Sequence, residues 1–397
     1  MFGGTMIANI LAYLYHLVVG RILGPVGYGE LAALISIFYI LNAPSAVVQN
    51  ILVKFFSGLK AKQDYGQAKR LFLRITRLLI IIQVVLFVLL LPFVTMIGEF
   101  LHITDNINLI WLYFMFAMFL FTVINISVLQ AFQQFFAMTI INGLGGILRL
   151  ALGAGGAIFG VGWALFGNVL AAIVGYFATF IPLRKLLAEK EKTIIISPMS
   201  ALYYSVPACI AVICITALYS QDVILVKHFF SAEEAGIYSS LSVLGKIIFF
   251  ASASFGAVAF PMLAEYREVD KPYGKIVGMT LIIAGLISFT ITLLYFLFPQ
   301  FIVSMLFGNG FTQASMYLGV FGLFISFFTL SYLLTTMYLA LGKTGVWVLV
   351  AISEVLQVIT IVMRHDSLSI VIHNNAYIAG GLFVALLLYY PYAIRRS

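Results

Sequence analysis

The chain has 397 residues, 63% of them hydrophobic and only 9% charged, and a mean hydropathy of +1.11 excludes a water-soluble fold of this length. The formal net charge of +8 would raise nucleic acid as a partner, but the placement of the basic residues accounts for it without one. Two cysteines, Cys209 and Cys214, lie five residues apart in one apolar run, form neither a disulfide framework nor a metal pattern, and are expected to serve packing.

A membrane-spanning helix needs about 20 mostly apolar residues. Twelve such runs are predicted, at 4–20, 31–53, 77–98, 108–131, 137–160, 162–183, 200–220, 236–262, 276–298, 314–340, 345–363 and 373–393. The first has no basic leader and no small-residue cleavage site, so it is expected to be helix 1 and not a removable signal peptide. Connections between runs are short and leave no room for a soluble domain. The polar, alternating pattern of a membrane β-barrel is missing.

Lys and Arg residues set the expected orientation. With a cytoplasmic N-terminus, the inner side carries Lys54, Lys60, Lys62, Lys69, Arg70, Arg74 and Arg77 after helix 2, and Arg184, Lys185, Lys190 and Lys192 after helix 6. It also carries Arg267, Lys271 and Lys275 after helix 8, Lys343 after helix 10, and Arg395 and Arg396 in the tail. The outer side holds only Arg21, Lys227 and Arg364. Both termini are therefore expected to be cytoplasmic, and the inner cluster after helix 2 would also attract anionic lipids.

The stretch VVGRILGPVGYGELAALISIFYIL from 18 has a counterpart in ILVKHFFSAEEAGIYSSLSVLGKIIFF from 224, with Gly29 on Gly236 at an offset of 207. VGWALFGNVLAAIVGYF from 161 likewise matches NNAYIAGGLFVALLLYY from 374, with Gly167 on Gly380 and Tyr176 on Tyr389 at an offset of 213. These matches divide the chain into an N-terminal six-helix bundle, 1–183, a charged cytoplasmic linker, 184–199, and a C-terminal six-helix bundle, 200–397. Six being even, the halves enter the membrane in the same direction, as parallel repeats. The fold class expected is an all-α polytopic membrane protein, with two parallel six-helix bundles around a central cavity. Gly24, Pro25, Gly27 and Gly29 are read as the turn of the first outer hairpin. Such an architecture suits alternating access by a transporter. A structural membrane protein without transport is the bland alternative.

GRILGPVGYGELAAL and DVILVKHFFSAEEAGIYSSLSVLGKIIFF, which runs into FPMLAEY at 260–266, resemble the polysaccharide branch of the multidrug, oligosaccharidyl-lipid and polysaccharide exporter superfamily. That branch includes the Wzx-type flippases, which move undecaprenyl-pyrophosphate-linked oligosaccharides across the bacterial inner membrane. The resemblance covers essentially the whole chain. It implies a flippase in the cytoplasmic membrane of a bacterium or archaeon, with membrane lipids, a polyprenyl-pyrophosphate-linked glycan and other glycan-assembly proteins as partners. It implies no cofactor and no enzymatic activity.

Ionisable residues at membrane depth are costly and become candidates for function. Arg149, in the middle of helix 5, would share a face with Asn142, Gly153, Gly156 and Gly160 at 100° per residue. A guanidinium there suits a lipid-headgroup phosphate, since it can bond two oxygens at once. An ion pair with Glu354, mid-span in helix 11, is the structural alternative. Lys246 in helix 8 shares a face with Ser239 and Ser242, and either holds the headgroup after passage or snorkels to the outer interface. Glu354 and Gln357 form a smaller polar face, for charge balance or sugar binding. Asn42 and Gln49 in helix 2, with Asn125 and Gln130 in helix 4, would bond sugar hydroxyls or join helices. Arg21, Asp222 and Lys227 flank the equivalent outer hairpins as a gate or ion pair.

Other signals carry less. GAGGAIFG at 153–160 lacks the Lys-Ser/Thr of a phosphate loop and lies in a span. The sequon at Asn125 lies in helix 4, and no cluster has metal-ligand spacing. A drug/cation antiporter of the same superfamily would want a buried carboxylate, whereas Glu30, Asp64, Glu99, Asp105, Glu189 and Glu191 are all read at helix ends or in loops. A major-facilitator transporter would place Arg in the loop after helix 2, where SGLKAKQDYGQAKR has none between Asp64 and Gly66. A membrane glycan polymerase or ligase would need a sizeable outer loop.

Overall fold

The computed structural model describes residues 2–103, 105–191, 199–268 and 272–395. Lys192, Lys271, Arg396 and residues 192–198 of the expected linker lie outside the described residues. All regular structure among the described residues is helical. In chain order the helices are α1 (Phe2–Asn42), α2 (Ser45–Ala61), α3 (Tyr65–Leu90), α4 (Val94–Phe100), α5 (Ile107–Ala131), α6 (Phe135–Leu148), α7 (Ala154–Ala157), α8 (Val161–Ala178) and α9 (Phe180–Ala188). They continue as α10 (Met199–Ala217), α11 (Gln221–Phe229), α12 (Ala232–Glu268), α13 (Gly274–Leu297), α14 (Pro299–Leu306), α15 (Ser315–Ala340), α16 (Trp347–Met363) and α17 (Leu368–Arg395).

Ten helical stretches among the described residues are long and apolar enough to cross a membrane, or eleven when Cys209–Ala217 and Gln221–Phe229, bent by 43°, count as one span. The expected twelve differ from this because helices 1 and 2 run together as Asn9–Ala61, 53 residues. At 1.5 Å per residue that stretch is about 80 Å long, more than twice a hydrocarbon core of about 30 Å. Lipid also explains the surface. Leu78, Val84 and Val88 on α3 are 56%, 59% and 60% exposed, a stripe that water would penalise and hydrocarbon does not.

The expected turn over residues 20–30 shrinks to one residue. Gly24, at φ 65° and ψ −177°, is the non-helical position inside α1, and it precedes Pro25, whose ring disfavours an α conformation in the residue before it. Gly27 and Gly29 are helical. In hydrocarbon no water competes for the backbone groups, so glycine loses much of its helix-breaking character. In the second half the equivalent break falls at Phe230 and Ser231. There Ser231 and Glu234 cap α12 reciprocally, the Glu234 N–H donating to Ser231 Oγ (3.3 Å) and the Ser231 N–H to Glu234 Oε2 (3.1 Å).

Helices α2, α5 and α15 end in the same way, as does α4, where His102 has φ 48° and the Ile103 amide bonds back to the Gly98 carbonyl. After α2, α5 and α15 a residue with positive φ, namely Gln63 (54°), Gln133 (60°) or Gly342 (67°), turns the chain. The next amide bonds back to the carbonyl five residues earlier: Asp64 to Leu59, Gln134 to Leu129 and Lys343 to Tyr338. The caps after α5 and α15 lie 209 residues apart, between the two offsets of the sequence repeat.

By internal contacts the described chain forms two compact units, one of Met1–Leu23 and Leu41–Ser205, the other of Gly24–Ile40 and Val206–Ser397. Segment 24–40 is the part of this division that the sequence did not suggest. In the first unit α5 packs on α2, α3 and α8, over a core of Leu52, Phe56, Phe72, Val128, Leu129 and Leu183. In the second, α15 packs on α12, α13 and α17 and buries Phe321, Phe324 and Phe328. Small polar residues join these helices: Ser252 to Ser288 (3.0 Å) and Thr292 to Ser326 (2.9 Å), with the Tyr338 hydroxyl donating to the Leu386 carbonyl (2.7 Å).

Candidate functional site

In the first unit the polar residues gather around Arg149. It opens a five-residue π-helical turn, Arg149–Gly153, between α6 and α7, a distortion frequent at functional positions. Its guanidinium carbon stands 4.6 Å from the centre of the Tyr15 ring, a cation–π arrangement. The Asn168 Nδ2 of α8 donates to the Tyr15 hydroxyl at 2.7 Å. A Cβ on Gly153 would lie 2.6 Å from both Asn168 Oδ1 and the Tyr15 ring, so glycine makes room for both. Arg149 Nε and Asn168 Oδ1 are buried without a hydrogen-bond partner. The cluster thus presents an unfilled N–H donor beside an oriented ring, a setting suited to an anion with several oxygens.

This changes the expected face. The π turn interrupts the 100° register, and the helix ends at Ala157, with Gly160 at φ 116° leading into α8. Gly156 and Gly160 therefore do not continue an α-helical stripe with Arg149. Gly156 instead admits the Trp163 carbonyl and Gly167 the Leu152 carbonyl, each closer to a built Cβ than any real side chain allows. Asn142 is exposed, seven residues before Arg149.

Of the remaining candidates of this unit, Gln49 and Asn125 join helices, Arg21 lies at the surface and Asn42 is buried. Gln49 Nε2 donates to Gln130 Oε1 at 3.0 Å, and Asn125 Nδ2 donates to Thr179 Oγ1 at 2.6 Å. Asn125 is buried, which also disposes of the sequon, and Asn42 is buried too. Arg21 is exposed.

The second unit carries two polar groups. In the first, Asp222 is fully buried and is no part of a solvated rim, contrary to expectation. The bend between α10 and α11 draws it inward, where the Tyr238 hydroxyl donates to Oδ2 (2.6 Å) and the Val223 N–H to Oδ1 (2.9 Å). Asn375 Nδ2 donates in turn to the Tyr238 hydroxyl at 2.9 Å. Gln357 is a joint: its Nε2 donates to the Leu218 carbonyl and its Oε1 accepts from Gln221 Nε2, both at 3.0 Å. Glu354 Oε2, one turn away, is buried without a hydrogen-bond partner. The partner suggested for Arg149 is thus itself unsatisfied at that atom. Lys227 is 4% exposed and feels the charge of Glu30, 3% exposed. Glu30 is therefore a buried helical carboxylate, and its reading as a helix-end acid is corrected.

The second group surrounds Lys246. Its ammonium lies 4.7 Å from the centre of the Tyr39 ring and 6.0 Å from that of Tyr219. Ser239 and Ser242 are buried on the same helix, with Ser239 bonded to the Ala235 carbonyl at 2.7 Å, so the expected polar stripe is not an open one. Tyr15, Asn168, Tyr39, Tyr219, Tyr238 and Asn375 were not singled out in the sequence, because abundant aromatics and lone amides read as packing until a partner is visible. Cys209 and Cys214 are free thiols. No group of metal-ligating residues occurs among the described residues.

The fold has solved counterparts. An inward-facing multidrug resistance MATE family transporter of the MOP superfamily aligns with a TM-score of 0.77 at 14% identity, over 98% of this chain and 94% of its own. The lipid II flippase MurJ, in an inward closed conformation, aligns with a TM-score of 0.75 at 13% identity, over 97% and 86%. A MOP superfamily transporter from Pyrococcus furiosus aligns with a TM-score of 0.69 at 15% identity, over 99% and 93%. A search of curated protein sequences gives no significant match. The fold class is thus the multi-helix membrane fold of the MOP superfamily transporters. Within it, the family model for polysaccharide biosynthesis protein matches residues 1–267, and the chain belongs to that family.

Proposed function

We propose that the protein is a flippase that carries a polyprenyl-pyrophosphate-linked oligosaccharide or polysaccharide precursor across the cytoplasmic membrane by alternating access. The observation that carries this reading is Arg149: its Nε is buried without a hydrogen-bond partner and its guanidinium is set over Tyr15, in a chain of the polysaccharide biosynthesis family. A guanidinium held by a ring face keeps its N–H groups for ligand oxygens, and a pyrophosphate offers several. Lys246, also over aromatic rings, is a second cation for the same headgroup. The polyprenyl tail stays in lipid because nothing is gained by moving an apolar chain out of hydrocarbon. The N- and C-terminal six-helix bundles are the moving parts, with both termini on the cytoplasmic side by the charge bias.

A second reading, the drug/cation antiporter, is favoured by the carboxylates of the second unit: Glu354 with its unpartnered Oε2, and the buried Asp222 and Glu30. The test is transbilayer movement of a fluorescent polyprenyl-pyrophosphate oligosaccharide in proteoliposomes. The intact protein moves the lipid, and Arg149→Gln moves it at least tenfold more slowly, the loss expected from one charged hydrogen bond of about 1.5–3 kcal/mol. An intact protein that moves no such lipid but exchanges a cationic dye for H⁺ establishes the antiporter instead.

A further inference from the structure

Beside Lys246 three elements bring aromatic rings together. Tyr219 stands at the bend between α10 and α11, Phe249 on α12, and Phe328 and Tyr332 on α15. The Tyr219 and Phe249 rings are stacked, with centroids 5.8 Å apart and planes at 22°. Phe249 meets Tyr332 edge-on at 5.0 Å, and Phe328 backs Tyr219 at 5.1 Å and Phe249 at 5.7 Å. Phe328 is 1% exposed, whereas Tyr219, Phe249 and Tyr332 keep part of their surface open.

The cation at the edge of this core is held by ring faces, which leave its N–H groups for a further partner. Lys246 has no hydrogen-bond acceptor among the described residues, and Asp222, which feels its charge, is already held by Tyr238 and Val223. The Tyr332 hydroxyl likewise has no hydrogen bond among the described residues, although a partly buried phenol normally finds one. Lys246 and Phe249 are three residues apart on α12, and Phe328 and Tyr332 four apart on α15, so each pair lies on one helix face. The wall is therefore set on helix faces, keeps part of its ring surface open and is bordered by polar groups.

We infer that Tyr219, Phe249 and Tyr332 form a stacking platform for the pyranose ring attached to the pyrophosphate, with Lys246 taking the phosphate beside it. This rests on the flippase reading and specifies how the glycan is recognised. A pyranose with several C–H groups on one face presents a weakly positive surface to the negative faces of the rings. The Tyr332 hydroxyl is placed to bond a sugar hydroxyl.

The experiment compares affinities of the full-length protein in nanodiscs for undecaprenyl pyrophosphate and for the same lipid carrying a single galactose or N-acetylglucosamine. At least one glycosylated lipid binds the intact protein about tenfold more tightly than the bare one. That ratio falls to near one in Tyr219→Leu and in Tyr332→Leu and persists in Tyr219→Phe, which keeps the ring. Should Tyr219→Leu fail to fold, Tyr332→Leu carries the comparison. Equal affinities in the intact protein, or a ratio unchanged by both leucine variants, overturns the platform while leaving the flippase reading intact. Failure of the intact protein to bind any pyrophosphate lipid overturns both.

Discussion

At the scale of residues, the chain uses aromatic faces to keep cations in place without neutralising them. Arg149 lies over Tyr15, and Lys246 lies over Tyr39 and Tyr219. A carboxylate in either position would consume the donors and leave a neutral pair, whereas a ring face stabilises the cation by roughly 0.5–2 kcal/mol and leaves its N–H groups free. Arg149→Lys separates charge from geometry. It keeps a cation for the Tyr15 face but loses the planar fork, so transport should fall between that of the intact protein and of Arg149→Gln. Equal rates for Arg149→Lys and the intact protein would show that charge alone suffices. Arg149 was legible in the sequence because an ionisable residue in an apolar run is conspicuous. Its setting was not, since it depends on a π turn and on Asn168 from another helix.

At the scale of elements, the two glycines that the sequence repeat aligned touch each other. A Cβ on Gly29 would lie 2.7 Å from the Gly236 backbone nitrogen, and one on Gly236 would run into the Pro25 carbonyl oxygen. Segment 24–40 and α12 therefore cross backbone to backbone, as small residues permit in membranes. Gly24 differs: it has positive φ but open space around it. Gly236→Ala forces the helices apart and should cost about 1–3 kcal/mol by overpacking, while Gly24→Ala should cost about 1–3 kcal/mol from backbone strain alone. Thermal unfolding in detergent measures both. Restoring room at the crossing cannot rescue Gly24→Ala. A Gly236→Ala variant as stable as the intact protein would show that this crossing yields without cost.

At the scale of the whole molecule, the energetics of the proposed cargo set the direction. Moving each negative charge outward across an inside-negative membrane gains roughly 2.3 kcal/mol per 100 mV. Flipping of the pyrophosphate lipid in proteoliposomes should therefore quicken when a potassium gradient with valinomycin makes negative the side that carries the Lys and Arg cluster following Lys54, and slow when the potential is reversed. A rate that ignores the potential but follows a proton or sodium gradient would instead make Asp222 and Glu354 the coupling groups. That choice was not readable in the chain order of the acids. Glu30 and Asp222 sit next to turn signals in the sequence, yet the fold buries both.

The solvent and the approximate spans could be read from the chain alone. Each of these rests on local composition: about 20 apolar residues satisfy a bilayer wherever they occur, and backbone bonds inside hydrocarbon close within the same helix. Tertiary structure decided what local composition cannot carry. It confined the first break to Gly24, made a buried helix of Gln221–Phe229 despite its charges, and turned Arg149 off the expected glycine stripe. It also spent Asn125, Gln49 and Gln357 on joints between helices and gathered the rings around Lys246. Whether a polar side chain in a membrane binds a neighbour or a ligand depends on which acceptor another helix brings within reach, and that is a property of packing.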